Sequence, residues 1–458
     1  MGPFRFHILV CTQQKPEGVT SCMANGAGTV FDSMEREVQA LGLSGEVQVT
    51  SSGCLGLCGE GPMVVVYPDG VWYRRVQRSD VAEIVASHLR DGRPVDRLAW
   101  KDAAAIRAMS VEHGERFRSA RAERERTGVL PERLDQMIRA YMPSRCLLTA
   151  LELDIFTAVG EGASAGQVGA LIKADARAVE MLLNALVALG LLLKEGGVYR
   201  NTAESARFFA EGSQDSQRRG LLHSANIWHR WSTMTEAIRR GTRVPMARAD
   251  SPEWTVNFIA AMQRNAKDRA PLVVKALGRG GVRRILDLGG GSGAYSIAFA
   301  KADAEVRCEI LDVPEVVPLT ERYVSDAGVA SQVSLRAGDM LRDDFGTGYD
   351  LIMLNAICHM FSAEQNQDIF RRARKALAPN GRLVVQDFIL NADKTGPQQA
   401  ALFSLNMLVG TNVGASYSEP EYTEWMKGAG FGEVLRINLP GPSDLLVGDT
   451  GPESTQAR

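Results

Sequence analysis

The sequence lacks any apolar run long enough to cross a bilayer, which takes about 20 consecutive residues. It also lacks an excess of either charge, because 52 Lys and Arg oppose 54 Asp and Glu. A basic surface for nucleic acid or an anionic membrane is therefore not expected. The first residues contain neither the apolar core nor the small-residue cleavage site of a signal peptide. We therefore expect a cytoplasmic protein without nucleic-acid or membrane partners.

Cysteine is scarce, yet four of the seven cysteines lie near the start of the chain: Cys11, Cys22, Cys54 and Cys58. Disulfides are rare in the cytoplasm, so this group of cysteines favours a metal or redox site. A thioredoxin-type C-x-x-C is absent, and so are the three closely spaced cysteines of a radical-type cluster. Zinc sites usually draw on two closely spaced pairs, which Cys11 and Cys22 do not form. Four thiolates suffice for a [2Fe–2S] cluster, with zinc as the alternative.

The pattern around these cysteines predicts a unit of four strands and two helices. The predicted elements are strands at Phe6–Val10, Val47–Thr50, Met63–Tyr67 and Val71–Arg74, and helices at Thr29–Leu41 and Val81–Leu89. With Cys11-Thr-Gln-Gln-Lys-Pro and Gly53-Cys-Leu-Gly-Leu-Cys58, residues 5–98 resemble the thioredoxin-like [2Fe–2S] ferredoxins. The resemblance implies that Cys11, Cys22, Cys54 and Cys58 bind the cluster. It leaves open whether the cluster transfers electrons to or from a redox partner protein, senses redox state or is structural.

Residues 99–128 mix Arg and Glu and predict a solvated linker helix, and residues 129–270 predict a mainly helical domain. Within that domain, two helices and two short strands between Ser164 and Asn201 suggest a winged helix. DNA binding is disfavoured, because the second helix carries Asp175, Arg177 and Glu180 and no basic cluster.

A glycine-rich turn is the most informative stretch of the chain. The strand Arg283–Leu288 contains Asp287 and is followed by Gly289, Gly291 and Gly293, and helical residues begin at Ala294. Such turns bring the backbone close to a ligand. The next two predicted strands end at further carboxylates, since Asp312 follows the second strand and Asp339 with Met340 follows the third. A dinucleotide site is the alternative, but Asp287 before the first glycine favours the Asp-x-Gly-x-Gly-x-Gly reading of the turn.

These motifs resemble S-adenosylmethionine-dependent methyltransferases, which implies a doubly wound, Rossmann-like sheet over residues 271–441. The resemblance implies that Asp287, Gly289 and Gly291 belong to the donor site, with the two glycines at the methionine part. It assigns Asp312 to the ribose, and Asp339 with Met340 to the adenine. It also implies that Asn355 lies near the methionine carboxylate or the acceptor.

The acceptor end of the site is predicted from three residues at or just beyond strand ends: His359, Asp387 and Glu419. An imidazole can take a proton from a phenol, and a carboxylate on its far nitrogen would fix its tautomer. Leu354-Asn-Ala-Ile-Cys-His359 resembles the small-molecule O-methyltransferases of the plant caffeate type. This implies His359 as base, with Asp387 and Glu419 as flanking acids. The family commonly has His-Asp-Trp, where this chain has His359-Met-Phe. A substrate-binding or inert histidine is therefore the alternative.

The same resemblance implies a winged-helix homodimer and an acceptor pocket lined by Phe258 and Met262, for which ordinary helix packing is an equal explanation. We therefore expect a three-domain α/β protein: an O-methyltransferase for an aromatic or polyketide-like hydroxyl, fused to a ferredoxin domain at residues 1–98. Alternatives are C- or N-methylation, a donor-binding redox enzyme supplied with electrons by the cluster, and a redox-gated binding protein without turnover. Residues 442–458 are rich in Gly, Pro, Ser and Asp and are expected to be disordered.

Overall fold

A computed structural model describes residues 3–15, 20–128, 130–246, 252–278 and 281–451 of the chain. The chain divides into two compact units, Met1–Arg139 and Ala140–Arg458. The predicted mixed α/β class is confirmed. No helix in the described ranges is long and apolar enough to cross a membrane. The finer domain boundaries at residues 98, 128 and 270 stay predictions.

The first unit is built on a four-stranded sheet. Its elements are β1 (Phe6–Cys11), α1 (Ala27–Ala40), β2 (Val47–Ser52), β3 (Val64–Tyr67), β4 (Val71–Tyr73) and α2 (Val81–Glu83), which continues as a π-helical stretch, Ile84–Arg90. The strand order is β2-β1-β3-β4, with β1 parallel to β2 and antiparallel to β3. Val30, Met34 and Val38 recur every fourth residue of α1 and bury one helix face against the sheet. All four predicted strands and both predicted helices are present, in the order β-α-β-β-β-α.

Two helices complete this unit: α3 (Ala103–Thr127) and α4 (Glu132–Arg139). The α3 helix corresponds to the predicted linker helix. Ion pairs one turn apart, such as Arg116 with Glu112, lie on its exposed side. Ile106, by contrast, is buried next to Cys11 and Cys22. One side of α3 therefore belongs to the core of the first unit.

The second unit begins with small helices and a short sheet. Its first elements are α5 (Tyr141–Glu152), α6 (Ile155–Val159), β5 (Ala163–Ser164), α7 (Ala165–Ile172), α8 (Ala176–Ala188), β6 (Leu192–Glu195), β7 (Val198–Asn201), α9 (Ala203–Phe208), α10 (Arg218–Trp231) and α11 (Met234–Arg240). Ser164 and Asp175 cap α7 and α8 by accepting hydrogen bonds from backbone amides. The helices and the β5-β7-β6 sheet match the elements predicted for a winged helix.

A seven-stranded sheet organises the rest of the second unit. The elements are α12 (Pro252–Lys267), α13 (Ala270–Leu277), β8 (Arg284–Leu288), α14 (Ala294–Ala302), β9 (Arg307–Asp312), α15 (Val317–Asp326), β10 (Val333–Ala337), β11 (Tyr349–Asn355), α16 (Ala363–Ala376), β12 (Leu377–Asp387), α17 (Gln398–Gly410), α18 (Glu419–Gly428), β13 (Val434–Ile437) and β14 (Asp444–Asp449). The strand order is β10-β9-β8-β11-β12-β14-β13. The five strands from β8 to β12 are parallel, and β14 is antiparallel to its neighbours.

This topology places the site. Ile285 packs into the core on one face of the sheet, whereas Leu286 packs into the core on the other, so helices cover both faces. The chain moves outward in one direction from β8 to β9 and β10, and in the other direction from β11 to β12. At such a reversal, a crevice opens at the carboxyl ends of the strands, where ligands bind.

The expectation of disorder after Gly441 is wrong for the residues of β14. Asp444–Asp449 pairs with both β12 and β13, and Leu445 and Leu446 are fully buried. The Gly, Pro and Ser content of the flanking residues concealed a short strand, whose pairing with β12 shields backbone groups and apolar surface that water would otherwise reach. Residues 452–458, the remainder of the predicted tail, lie outside the described residues.

Candidate active site and cluster site

The glycine turn joins β8 to α14 and adopts a conformation that needs glycine. Gly289 and Gly291 have φ angles of +66° and +58°, in the left-handed region. A Cβ on Gly289 would lie 2.9 Å from Ile357 Cγ1 and 3.0 Å from Met340 Cε. The backbone is therefore packed tightly against these two side chains, and the predicted residues Gly289 and Met340 meet in one place.

Asp312 joins the second strand to the same turn. Its carboxylate accepts hydrogen bonds from the Gly291 amide at 2.7 Å and from the Val313 amide at 2.8 Å. Burial raises the pKa of Asp312, and these two hydrogen bonds oppose the rise. Asp339, beyond β10, is more exposed and accepts from the Leu341 amide at 2.9 Å. Both carboxylates keep free acceptor positions for hydroxyl or amine donors of a ligand.

Asp287 is fully buried behind the turn. It accepts hydrogen bonds from Ser296 Oγ at 2.8 Å and from Asn355 Nδ2 at 3.4 Å. Burial raises its pKa to about 6. Since the unfolded carboxyl titrates near 3.9, its contribution to stability is fully present below about pH 4 and is lost as pH rises through about 6. The sequence predicts that Asp287 belongs to the donor site. Its hydrogen bonds are to Ser296 and Asn355 within the chain, so a contact with the donor stays a prediction.

Asn355, the last residue of β11, carries a buried polar atom that lacks a partner among the described residues. Its Oδ1 is buried and has no hydrogen-bond partner in the described part of the chain. A buried amide oxygen without a partner carries a cost of about 1–3 kcal/mol. A ligand amine or hydroxyl in the crevice would remove that cost. The predicted donor residues therefore fit a nucleoside with a charged amino-acid end.

His359 and Asp387 form a buried dyad at the ends of adjacent parallel strands. His359 lies in a 3₁₀ turn after β11, and Asp387 is the last residue of β12. His359 Nδ1 lies 2.7 Å from Asp387 Oδ1, and the His359 amide donates to Oδ2 at 3.1 Å. Because the carboxylate accepts from Nδ1–H, Nε2 of the neutral ring keeps its lone pair.

The Asp387 carboxylate is stabilised by two further donors. The Phe388 amide donates to Oδ1 at 2.8 Å, and the Tyr422 hydroxyl donates to Oδ2 at 3.1 Å. Burial raises the pKa of Tyr422 well above its ordinary value, so the residue remains a hydroxyl donor. A buried carboxylate is tolerated where several donors surround it. Tyr422 was missed in the sequence, where an aromatic residue inside a helix reads only as core.

The structure does not place Glu419 at the dyad. Glu419 Oε2 lies 2.7 Å from Arg436 Nη1, and its side chain is 43% exposed. Arg436 also pairs with Asp444 at the start of β14. Glu419 thus takes part in an ion-pair group with the last strand, and the described contacts of His359 do not include it. Its predicted role as a second flanking acid has no support in these contacts.

Aromatic side chains surround the dyad and the helix before the sheet. The Phe403 ring meets the His359 ring edge-on at 4.8 Å and stacks on Phe388 at 4.0 Å.

On α10, His223 contacts Phe258 with the ring centroids 5.2 Å apart. Its Nδ1 is buried without a hydrogen-bond partner among the described residues. Burial, with Arg230 and Arg264 nearby, lowers the pKa of His223 to about 4, so the ring is neutral at pH 7.

Ile259 was not predicted as a site residue, yet it places α12 at the glycine turn. A Cβ on Gly291 would lie 3.8 Å from Ile259 Cδ1, and Ile259 is buried. Phe258 and Met262 are half-buried on the same helix. The pattern of α12 reads as ordinary core, so no signal in the sequence separated Ile259 from other apolar residues.

In the first unit, Cys11 is the last residue of β1 and Cys58 begins a 3₁₀ turn. The other two predicted cysteine ligands, Cys22 and Cys54, lie outside the helices and strands. Cys54 Sγ and Cys58 Sγ are 3.3 Å apart, and the Gly56 amide donates to Cys54 Sγ at 3.4 Å. A Cβ on Gly61 would collide with Cys22 Sγ. Glycines therefore leave room for sulfur and direct an amide at it, which fits an iron–sulfur cluster.

The other two cysteines form a second pair. A hydrogen bond from Cys22 lowers the pKa of Cys11 to about 6, and the same bond raises the pKa of Cys22. Cys11 is therefore the thiol that ionises first. Thiolates are the ligands of such clusters, so this pair fits the predicted group as well.

Three stretches of the chain match described families. Residues 235–432 match the O-methyltransferase domain, residues 135–211 the O-methyltransferase dimerisation domain, and residues 3–88 the thioredoxin-like [2Fe-2S] ferredoxin.

Known proteins resemble about two thirds of the chain. Over 330 residues the chain is 30% identical to 3-hydroxy-5-methyl-1-naphthoate 3-O-methyltransferase of Streptomyces sahachiroi, covering 69% of this chain and 95% of that protein. Over 321 residues it is 28% identical to L-tyrosine C(3)-methyltransferase of Streptomyces lavendulae, covering 66% and 88%. The crystal structure of human N-acetylserotonin methyltransferase in complex with S-adenosylmethionine is 25% identical, with a TM-score of 0.62 and coverage of 70% and 99%.

Proposed function

Because this chain belongs to the family of S-adenosylmethionine-dependent O-methyltransferases and carries a thioredoxin-like [2Fe–2S] ferredoxin domain, we propose that it methylates a hydroxyl of an aromatic or polyketide-like small molecule. The His359–Asp387 dyad carries this proposal. A family relative that acts on a hydroxynaphthoate supports the class of acceptor.

S-adenosylmethionine supplies a methyl group already activated by the positive charge on its sulfur. The residues of the crevice bind and orient the S-adenosylmethionine molecule. Asp312 would accept from the ribose hydroxyls, and Asp339 from the adenine amine, with Met340 against the ring. Asn355 Oδ1, which lacks a partner in the described chain, would accept from the ammonium of the methionine part. Alignment of donor and acceptor then provides most of the rate, because methyl transfer is an in-line displacement.

His359 is the proposed general base. Its Nε2 lone pair takes the acceptor's hydroxyl proton, and the Asp387 carboxylate stabilises the imidazolium that forms. The rings of Phe388 and Phe403 lie against the imidazole, and His359 is buried. Such a base contributes about 10²–10⁴ in rate.

We propose that Phe258 and Met262 line the acceptor pocket and that His223 lies beside them. His223 is neutral at pH 7, and its buried Nδ1 has no hydrogen-bond partner among the described residues. Phe258 and Met262 beside a neutral imidazole suit a planar phenol better than a charged sugar or peptide.

C-methylation is the second candidate, because a relative of similar identity is a tyrosine C(3)-methyltransferase. A base that deprotonates a phenol also activates its ortho carbon. Treatment with boron tribromide followed by mass spectrometry separates the two products, since only an O-methyl ether loses its methyl group to this reagent.

We further propose that Cys11, Cys22, Cys54 and Cys58 bind the cluster, that the winged-helix region forms a homodimer, that a separate redox protein exchanges electrons with the cluster, and that the protein works in the cytoplasm. The dimerisation-domain match supports the homodimer. The cluster carries one electron. Whether methyl transfer depends on that electron is answered by assaying oxidised and reduced protein in parallel.

The decisive experiment uses hydroxynaphthoates and methyl-labelled S-adenosylmethionine. His359→Ala and Asp387→Asn should each lower kcat at least a hundredfold with S-adenosylhomocysteine affinity unchanged within threefold. Glu419→Gln should change kcat less than threefold. Equal losses at Glu419 and Asp387 would restore the role predicted for Glu419. Donor binding without any methylated product across the phenol series would leave a binding protein in place of the enzyme.

A further inference from the structure

The α3 helix covers the proposed cluster site with one face. Ile106, Ser110 and His113 are spaced at i, i+4 and i+7 and therefore lie on the same side of the helix. Ile106 is buried next to Cys11 and Cys22. A Cβ on Gly56, within the cysteine loop, would lie 2.9 Å from Ser110 Oγ. The ferredoxin match ends at residue 88, so this wall is an addition to the matched domain.

His113, one turn beyond Ser110, brings a polar group to the same loop. Its Nε2 lies 3.8 Å from Cys58 Sγ and 3.0 Å from Lys15 Nζ. An ammonium group can only donate hydrogen bonds, so Nε2 accepts from Lys15 and cannot also donate to sulfur. The Lys15 ammonium is then the donor that faces Cys58, within electrostatic range of Cys54 and Cys11 as well.

His113 could instead be a metal ligand, because its ligand atom lies within 4.8 Å of those of Cys54 and Cys58. The contact with Lys15 argues against this. A metal ion at Nε2 would displace the ammonium from its acceptor and place two cations side by side. The four cysteines already complete a [2Fe–2S] site without it.

We propose that Lys15, held in place by His113 of the α3 helix, is a fixed positive charge at the cluster that stabilises its reduced state. One-electron reduction makes the cluster one unit more negative, which increases its attraction to the ammonium. Lys15 therefore raises the reduction potential, and His113 is a positioning residue. The inference depends on the proposed cluster ligands and not on methyl transfer, so the two can fail separately.

The test is a dithionite titration of the full-length protein, followed by electron paramagnetic resonance, after iron content and visible spectrum have been recorded. Lys15→Gln should lower the ratio of reduced to oxidised cluster at least tenfold at a fixed potential, a shift of about 59 mV for a one-electron couple. His113→Phe should give part of this shift. The double variant should match Lys15→Gln, because the histidine acts through the lysine. Lys15→Arg should remain within threefold of wild type.

Lys101→Gln is the matched control, because it removes the same charge from the same unit at a residue paired with Asp96. Its potential should equal that of wild type. An unchanged potential in Lys15→Gln with full iron content would overturn the proposal, and so would an equal shift in the control. Loss of iron or altered g values in His113→Phe alone would identify a ligand instead. If Lys15→Gln fails to bind iron, an unchanged potential in His113→Phe refutes the proposal and a lowered one supports it.

Discussion

Replacing Gly289 with alanine tests how closely the turn backbone approaches the donor site. The matched control is Gly328→Ala, since Gly328 has a φ angle of +73° in the same unit, and nothing lies within 4 Å of the added Cβ. Both substitutions impose a left-handed alanine, at about 1–2 kcal/mol each. Only the alanine at Gly289 would also press on Ile357 and Met340, at distances of 2.9 and 3.0 Å. Such overpacking costs about 1–3 kcal/mol.

That second cost should appear in ligand affinity. Without ligand, the ends of Ile357 and Met340 can move into the empty crevice, but the donor requires that space. A penalty of about 1–3 kcal/mol weakens binding about 5- to 150-fold. Calorimetry of S-adenosylhomocysteine binding measures this, and thermal unfolding measures the strain that the two variants share. Equal affinities for both variants, or wild-type affinity in Gly289→Ala, would refute the assignment of this turn to the donor site.

Three further predictions concern the second unit. Asp287→Asn should gain stability relative to wild type as pH rises from about 4 to 6, by about 3 kcal/mol in all for a folded pKa of about 6. About half of this gain falls between pH 5 and 7.5, where denaturant unfolding of both proteins measures it, and a pH-independent difference would contradict it. Tyr422→Phe should lower kcat about tenfold with unchanged donor affinity, because Asp387 loses one donor; an unchanged kcat would show that the other donors suffice. Truncation after Gly441 should abolish soluble expression, because β14 pairs with β12, whereas truncation after Gly451 should not; soluble, cooperatively unfolding protein from the shorter chain would contradict the role of β14.

Residue order alone predicted most residues of the proposed donor site, because the determinants of these positions are local. A strand that ends before a glycine turn places Gly289 and Gly291 at the carboxyl edge of any parallel sheet. Asp312 and Asp339 follow the next two strands and must reach the same edge. The four proposed cluster ligands were likewise predicted from their spacing, since loops rich in glycine can bring thiolates together without long-range information.

Only the tertiary structure decided which carboxylate meets His359. Both Asp387 and Glu419 follow strand-like or loop segments, but β11 and β12 are hydrogen-bonded neighbours, so Asp387 reaches the imidazole. Glu419 pairs instead with Arg436, which lies in β13 and is held in place by the pairing of β13 with β14. The β14 strand itself was hidden, because its burial depends on β12, more than 50 residues earlier in the chain.

The contact of His113 with Lys15 was equally inaccessible, since 98 residues separate them. Sequence determined the chemistry available at each strand end and in each loop, because local periodicity and turn residues fix those positions. Tertiary structure decided which of these groups meet, because charge pairing and strand adjacency act between residues that are distant in the sequence.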